Sequence, residues 1–254
     1  TGQARADGPR AEEHRTSHRR PPTQLTTMSA PVLAATAVGG ALVAYFLMKA
    51  SNSKRVPHGI VVYYHSACKG FTGRADAIIR MLEHAGCRYT CKEVGDVPAS
   101  FTADKGCFAV PFVQLPDGLV LSQSQAIHMH LGRTLGLFPT TLAGEAQALQ
   151  VALNAADIIS EGLKKLKGDE KRLAKWLSVF EGSLATTGTG FFVGSQLSYA
   201  DFASYSWLKL TFGMVPDASA YPRIAAFVKM MDALPSTQAF NAKGVPLLPA
   251  SMMP

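Results

Sequence analysis

Residues 58–254 are expected to fold as an α+β chain, a small domain of alternating strands and helices followed by an all-α domain, the whole preceded by a single transmembrane helix. Three observations predict this. Between residues 58 and 133, short β-branched and aromatic runs alternate with stretches of helical periodicity. From 143 to 240 the strand runs vanish and apolar residues recur at helical spacing. Ahead of both, residues 31–48 form an uncharged run of 18, rich in Ala, Val and Leu and closed by Lys49.

The first strand is expected over 59–65, in Ile60-Val61-Val62-Tyr63-Tyr64-His65. A helix follows over 73–85, opened by Gly73-Arg74-Ala75-Asp76. Ile78, Ile79, Met81, Leu82 and Ala85 give it an apolar face, and Gly86 ends it. A second strand over 88–94 precedes the most informative stretch of the chain. There Val110-Pro111-Phe112-Val113 is a strand that begins at a proline, and Pro116-Asp117-Gly118 is a tight turn. A further strand then runs into a helix over 123–133 that opens at Gln123-Ser124. Proline cannot donate to a ladder, so this strand belongs at an edge or beside a ligand, and the Val110–Pro111 bond is expected to be cis. The Gln-Ser pair offers an amide, a hydroxyl and free first-turn N–H groups to an anion. Together these pieces outline a site for a small peptide-like anion in a thioredoxin-like unit over 58–134. After the linker Leu135-Gly136-Leu137-Phe138-Pro139, the all-helical domain is expected over 140–254. Its first long helix carries Leu149, Val151, Leu153, Ile158, Ile159, Leu163 and Leu166. The next carries Leu173, Trp176, Leu177 and Phe180, and two more run from Phe202 to Phe212 and from Ile224 to Met231.

With 47% hydrophobic and 17% charged residues the chain is not disordered. The net charge of +7 is concentrated at the N-terminus. Residues 1–27 set five arginines against Asp7, Glu12 and Glu13, and Lys49, Lys54 and Arg55 follow, so residues 56–254 hold only +2. That balance argues against nucleic-acid binding. Residues 1–29 are expected to be a disordered leader or the product of an untranslated region, with Met28 as the initiating residue. An Arg-rich targeting presequence is the alternative. Residues 30–49 are expected to anchor the chain, because 18 helical residues span about 27 Å, enough for a thin bilayer. A cleavable signal peptide is the rival reading, although Met48-Lys49-Ala50 is a poor cleavage site. The positive cluster in and beside the 50–57 linker leaves the globular part facing the cytosol, from an organelle outer membrane or the endoplasmic reticulum.

The order of these motifs resembles the glutathione transferase family, closest to its sigma-like branch, over roughly residues 58–240. In that family a cis-proline loop pairs with the glutathione cysteinyl backbone and a Gln-Ser-x-Ala-Ile segment holds the γ-glutamyl carboxylate. The resemblance therefore implies glutathione binding by Val110, Pro111, Gln123 and Ser124, with Ala126 and Ile127 completing the motif. Ser198-Tyr199-Ala200-Asp201 is similar to the family's interior helix start; by itself it is a capping box, and Ser198 and Asp201 are expected to be structural. The resemblance implies a transferase of detoxification type, with glutathione as co-substrate, a hydrophobic second substrate, and either a homodimer or a membrane-complex partner.

Catalysis then needs a donor that stabilises the glutathione thiolate near the end of the first strand. The family's Leu-x-Tyr-Phe-Asn overlays on Val61 to His65, which makes Tyr63 the expected catalytic tyrosine, with Tyr64 on the opposite face as a packed aromatic. The chain departs from the family by an insertion of about four residues before Gly73-Arg74. In addition, Tyr63-Tyr64-His65-Ser66-Ala67-Cys68 looks like a beta-class motif whose cysteine forms a mixed disulfide with glutathione. Cys68 is thus the alternative catalytic group, its pKa expected to be lowered beside Lys69 and a helix N-terminus. Cys87 and Cys91 share one strand parity and are expected to be small buried hydrophobes, and no cysteine spacing suggests a metal. Residues 95–109 lack the Trp that usually grips the glycyl carboxylate, with Lys105 as a substitute. Two function classes stay open. One is a membrane-anchored transferase or isomerase acting on lipophilic electrophiles; the other is a degenerate scaffold or subunit of a membrane complex.

Overall fold

The computed structural model describes residues 57–254. The expected leader and the anchor over 30–49 lie outside the described residues. Among those described, no helix is long and apolar enough to cross a membrane.

The N-terminal domain runs β1 (Ile60–Tyr63), α1 (Asp76–Ala85), β2 (Tyr89–Lys92), α2 (Ala99–Ala103), β3 (Phe112–Gln114), β4 (Val120–Leu121) and α3 (Ser124–Thr134). The sheet order is β2-β1-β3-β4. β1 lies parallel to β2, with Val62 opposite Cys91, and antiparallel to β3, with Tyr63 opposite Phe112. β-strand alternation divides β1 cleanly. Ile60, Val62 and Tyr64 join the main core with α1 and α3. Tyr63 turns to the other face, into a small separate cluster with Phe101, Cys107, Phe112 and Val120.

α1 begins with a 3-10 turn at Gly73–Ala75 and ends at Gly86, whose left-handed backbone (φ 71°) lets its N–H close on the last carbonyls. Its N-terminus is not free. The Thr72 and Gly73 N–H groups donate to the carbonyls of Pro246 and Leu247, in a C-terminal segment that crosses back over the N-terminal domain.

The helical domain comprises α4 (Leu142–Glu161), α5 (Leu163–Lys167), α6 (Glu170–Thr187), α7 (Tyr199–Phe212), α8 (Pro222–Ala233) and α9 (Pro235–Asn241). The single long helix expected through Leu166 is broken instead. Gly162 sits at φ 87°, a conformation that glycine adopts without penalty, and the chain turns there from α4 into α5. Leu153, expected in the core, is exposed. α7 is buried along almost its whole length and packs against α1, α3 and α4, which explains why its sequence lacks a polar face.

The two domains are clamped by a buried polar cluster. Asp76 of α1 accepts from Thr72 Oγ1 (2.8 Å), Arg80 Nε (2.8 Å) and Ser206 Oγ of α7 (2.5 Å), and Arg80 also donates to Asn241 Oδ1 (3.0 Å). Buried charges persist when paired and hydrogen-bonded. This cluster fixes the angle between α1 and the helical domain.

Candidate functional site

The site is organised on the backbone of one residue, Arg74. Its N–H donates to the Tyr64 hydroxyl (2.9 Å), and its carbonyl accepts from the Ser124 hydroxyl (3.4 Å). The last residue of the β1 extension and the first residue of α3 are thereby held to the same turn. Gly73 makes the approach feasible. Its φ is +47°, and a Cβ there would lie 2.3 Å from Tyr64 Oη, so a side chain is excluded twice over.

Tyr64 is buried, and its ring meets His65 and Phe71 edge-on, with centroids 5.0 and 5.8 Å away. Burial raises its pKa above the usual phenol value, and the Arg74 N–H opposes that rise only in part. The group therefore keeps its proton at neutral pH. Its oxygen already accepts from Arg74, so the O–H is left to donate to an incoming anion.

The two residues expected to be catalytic, Tyr63 and Cys68, lie elsewhere than beside Arg74 and Ser124. Tyr63 points away from Arg74 and Ser124. Its ring packs edge-on against Phe101 at 5.4 Å, Lys92 lies over it, and its hydroxyl reaches only Gln114 Oε1 at 3.4 Å. Strand parity, not distance along the chain, decides this. Cys68 is also not the exposed, acidified thiol expected. It is buried, and the neighbouring Cys91 thiol together with burial pushes its pKa up. The helix N-terminus that was to lower it spends its N–H groups on Pro246 and Leu247.

At the sheet end the Val110–Pro111 bond is cis, with Val110 half-buried and Pro111 buried. Gln123 is exposed and holds φ 66°, outside the comfortable range of a side-chain-bearing residue. Its carbonyl accepts the Ile127 N–H to start α3. The first-turn N–H groups of α3 have no partner within the helix, so its positive end opens where Ser124 sits. Ser198 and Asp201 lie far from this chemistry. The Asp201 carboxylate accepts from Ser198 N (2.7 Å), Ser198 Oγ (2.8 Å) and Phe192 N (2.9 Å), pinning the start of α7. Lys105 is exposed in the loop before the cis bond.

Two features were missed by sequence reasoning. One is the contact of Tyr64, expected only as a packed aromatic, whose hydroxyl meets Arg74 N; the Gly73-Arg74 pair was the available signal. The other is His128 of α3, whose ring lines a small cavity with Arg74, Ser124 and Trp207. It is buried with neither ring nitrogen hydrogen-bonded, and burial lowers its pKa to about 4, so it is neutral. No signal in the sequence separates it from a surface histidine. Among the described residues no group of His, Cys, Asp and Glu is arranged to hold a metal ion.

A cis-proline strand, a strained Gln before a helix-opening Ser, and a tyrosine hydroxyl on the same turn define a thioredoxin-like domain packed against an all-helical domain. Solved structures share this architecture. The glutathione S-transferase of Ascaris lumbricoides superposes with a TM-score of 0.61 at 21% identity, covering 75% of this chain and 99% of that one. The Pi-class glutathione S-transferase of Onchocerca volvulus gives 0.61 at 21%, covering 75% and 97%. Residues 155–244 match the family model "Glutathione S-transferase, C-terminal domain". Glutathione S-transferase P of Bos taurus is 34% identical over 152 residues, 51% of this chain and 69% of that protein. A glutathione S-transferase of Antechinus stuartii is 29% identical over 148 residues, 53% of this chain and 66% of that protein. The chain thus spans about two thirds of the length of these relatives. It belongs to the glutathione S-transferase family, as its motifs implied.

Proposed function

We propose that this chain binds glutathione and conjugates it to hydrophobic electrophiles, with Tyr64 as the donor that stabilises the thiolate. The observation that carries this reading is the Tyr64 hydroxyl: it accepts from Arg74 N, keeps its own proton, and shares its turn with Ser124. In this reading the backbone of Val110, ahead of Pro111, pairs with the cysteinyl backbone of glutathione. Gln123, Ser124 and the first turn of α3 hold the γ-glutamyl carboxylate. A thiol near pKa 8.5 is mostly protonated at neutral pH, and one well-placed donor shifts it toward thiolate.

The electrophile site is the apolar cleft of about 520 Å³ between the α4–α5 break and the C-terminal segment, lined by Leu163, Leu248 and Met252 among others. It shares Ile159 and Trp207 with the small cavity beside Ser124, so the two sites adjoin. Anchoring by residues 30–49, with the globular part facing the cytosol, suits substrates that partition into bilayers; resistance of the full chain to carbonate extraction is its test.

The experiment for the function is retention on immobilised glutathione with elution by free glutathione, followed by a conjugation assay with an aryl halide. Retention together with a rate above background supports the transferase. Retention without turnover favours a binding scaffold, a reading for which the near-complete burial of Tyr64 beneath His65 and Phe71 is the specific observation.

A further inference from the structure

On the far side of the β1 end from Ser124, two cysteines come together that the transferase chemistry does not use. Cys68 ends the 3-10 turn His65–Cys68, which packs on β2, the strand that carries Cys91. Both line a cleft of about 400 Å³ together with Lys69 and Lys243, the latter's ammonium paired with Glu83 at 2.6 Å. The loop is held in an unusual form. Ser66, Ala67 and Cys68 have φ of 52°, 45° and 59°, three consecutive residues in the left-handed region without a glycine. Such a run costs about 1–2 kcal/mol per residue and persists only where its surroundings enforce it. Here the enforcement brings Cys68 to the cleft that Cys91 lines, beside β2 at the edge of the sheet.

We propose that Cys68 and Cys91 form a dithiol that reduces a low-molecular-weight disulfide carrying carboxylates, with Cys91 attacking and Cys68 resolving. The division of labour follows from the surroundings. Cys91 is half-exposed, and the neighbouring Cys68 thiol, with Lys243 and Lys69 nearby, favours its thiolate over the opposing effects of burial and Glu83. Cys68 is buried, so it stays a thiol until its neighbour has reacted. The Cys91 thiolate attacks one sulfur of the incoming disulfide, forming a mixed disulfide and expelling the first thiolate. Cys68 loses its proton to solvent and attacks the Cys91 sulfur, forming the Cys68–Cys91 bond and expelling the second thiolate. The two leaving thiolates are protonated. The protein dithiol has lost two electrons and two protons, and the disulfide has become two thiols. Lys69, beside the Lys243–Glu83 pair, supplies the charge that draws a carboxylate-bearing disulfide into the cleft. Cys87 and Cys107 are excluded: both are buried, and burial pushes the Cys87 thiol up to about 11.

The test uses the full chain, reduced and then equilibrated in glutathione buffers with glutathione disulfide as the probe. Peptide mass mapping of the wild type should find Cys68 and Cys91 joined to each other as glutathione disulfide is raised, and free again when it is lowered. Cys68→Ser should trap one glutathionyl group on Cys91, and Cys91→Ser should lose all exchange at Cys68. The wild-type map alone decides the matter if either variant fails to fold. Cys68 and Cys91 remaining unlinked in excess glutathione disulfide, or a glutathionyl group accumulating on Cys68 instead, overturns the proposal. Neither outcome depends on transferase activity, so the proposed function stands or falls separately.

Discussion

Replacing the two adjacent tyrosines one at a time separates the faces of β1 by their consequences. Tyr64→Phe removes the atom that accepts from Arg74 N at 2.9 Å and donates, in the proposed reaction, to the thiolate. Losing one donor aimed at a developing anion costs about 3–4 kcal/mol, a fall of roughly 10²- to 10³-fold in rate. The orphaned Arg74 N–H adds a separate cost to folding of about 1–3 kcal/mol. Tyr63→Phe removes only a 3.4 Å contact with Gln114 and leaves the ring against Phe101, so stability should change by about 1 kcal/mol or less and the rate hardly at all. Both variants are assayed for glutathione conjugation to an aryl halide at neutral pH, with urea unfolding to measure stability. If Tyr63→Phe abolished turnover while Tyr64→Phe left it intact, the reasoning from strand parity would be refuted.

Three further outcomes follow from the same geometry. Gly73→Ala should push Tyr64 Oη from its place, because the added Cβ would lie 2.3 Å away at φ +47°. Conjugation should fall toward the Tyr64→Phe level, with a stability loss on the order of 1–3 kcal/mol; an unchanged rate would show that Tyr64's position is immaterial. Ser124→Ala should raise the KM for glutathione about tenfold or more with little change in kcat, as expected for one hydrogen bond to a bound carboxylate, and a change confined to kcat would contradict this. Acid should destabilise the fold. Burial holds His84 and His128 near pKa 4, so between pH 6.5 and 4 the unfolded chain takes up protons that the folded one refuses, and stability present above pH 6.5 is lost as pH falls. Burial raises Asp201 to about 6, which works in the opposite direction below that pH. The two histidines outweigh the one carboxylate, giving a net loss on the order of 2–3 kcal/mol from pH 7 to 5, and urea unfolding that showed greater stability at pH 5 would exclude this balance.

Much of the fold was legible because its signals are local. The strand at Ile60, the Gly86 stop, the Pro-Asp-Gly turn and the capping box before α7 each follow from a few neighbouring residues, and each lies where expected. The Val110–Pro111 turn and the Gln123-Ser124 start of α3 were legible for the same reason. What escaped was non-local or hung on one residue. The Gly162 break interrupts an apolar periodicity that continues through it into Leu163 and Leu166, so pattern alone could not find it. Which of Tyr63 and Tyr64 faces Arg74 is set by parity at a strand end, which an overlay of motifs alone does not fix. The C-terminal segment that occupies the Thr72 and Gly73 N–H groups joins positions 174 apart, and the Cys68–Cys91 juxtaposition depends on a left-handed loop that no glycine announces.

In the proposed reaction Tyr64 activates glutathione bound beside Ser124. The pKa of the bound thiol, followed by the ultraviolet absorbance of its thiolate as pH is raised, tests this most directly. The wild type should hold that pKa well below the free-thiol value of about 8.5, and Tyr64→Phe should return it toward that value while glutathione stays bound. A bound thiol that titrates like free glutathione in the wild type, or one unchanged by Tyr64→Phe, would contradict the account.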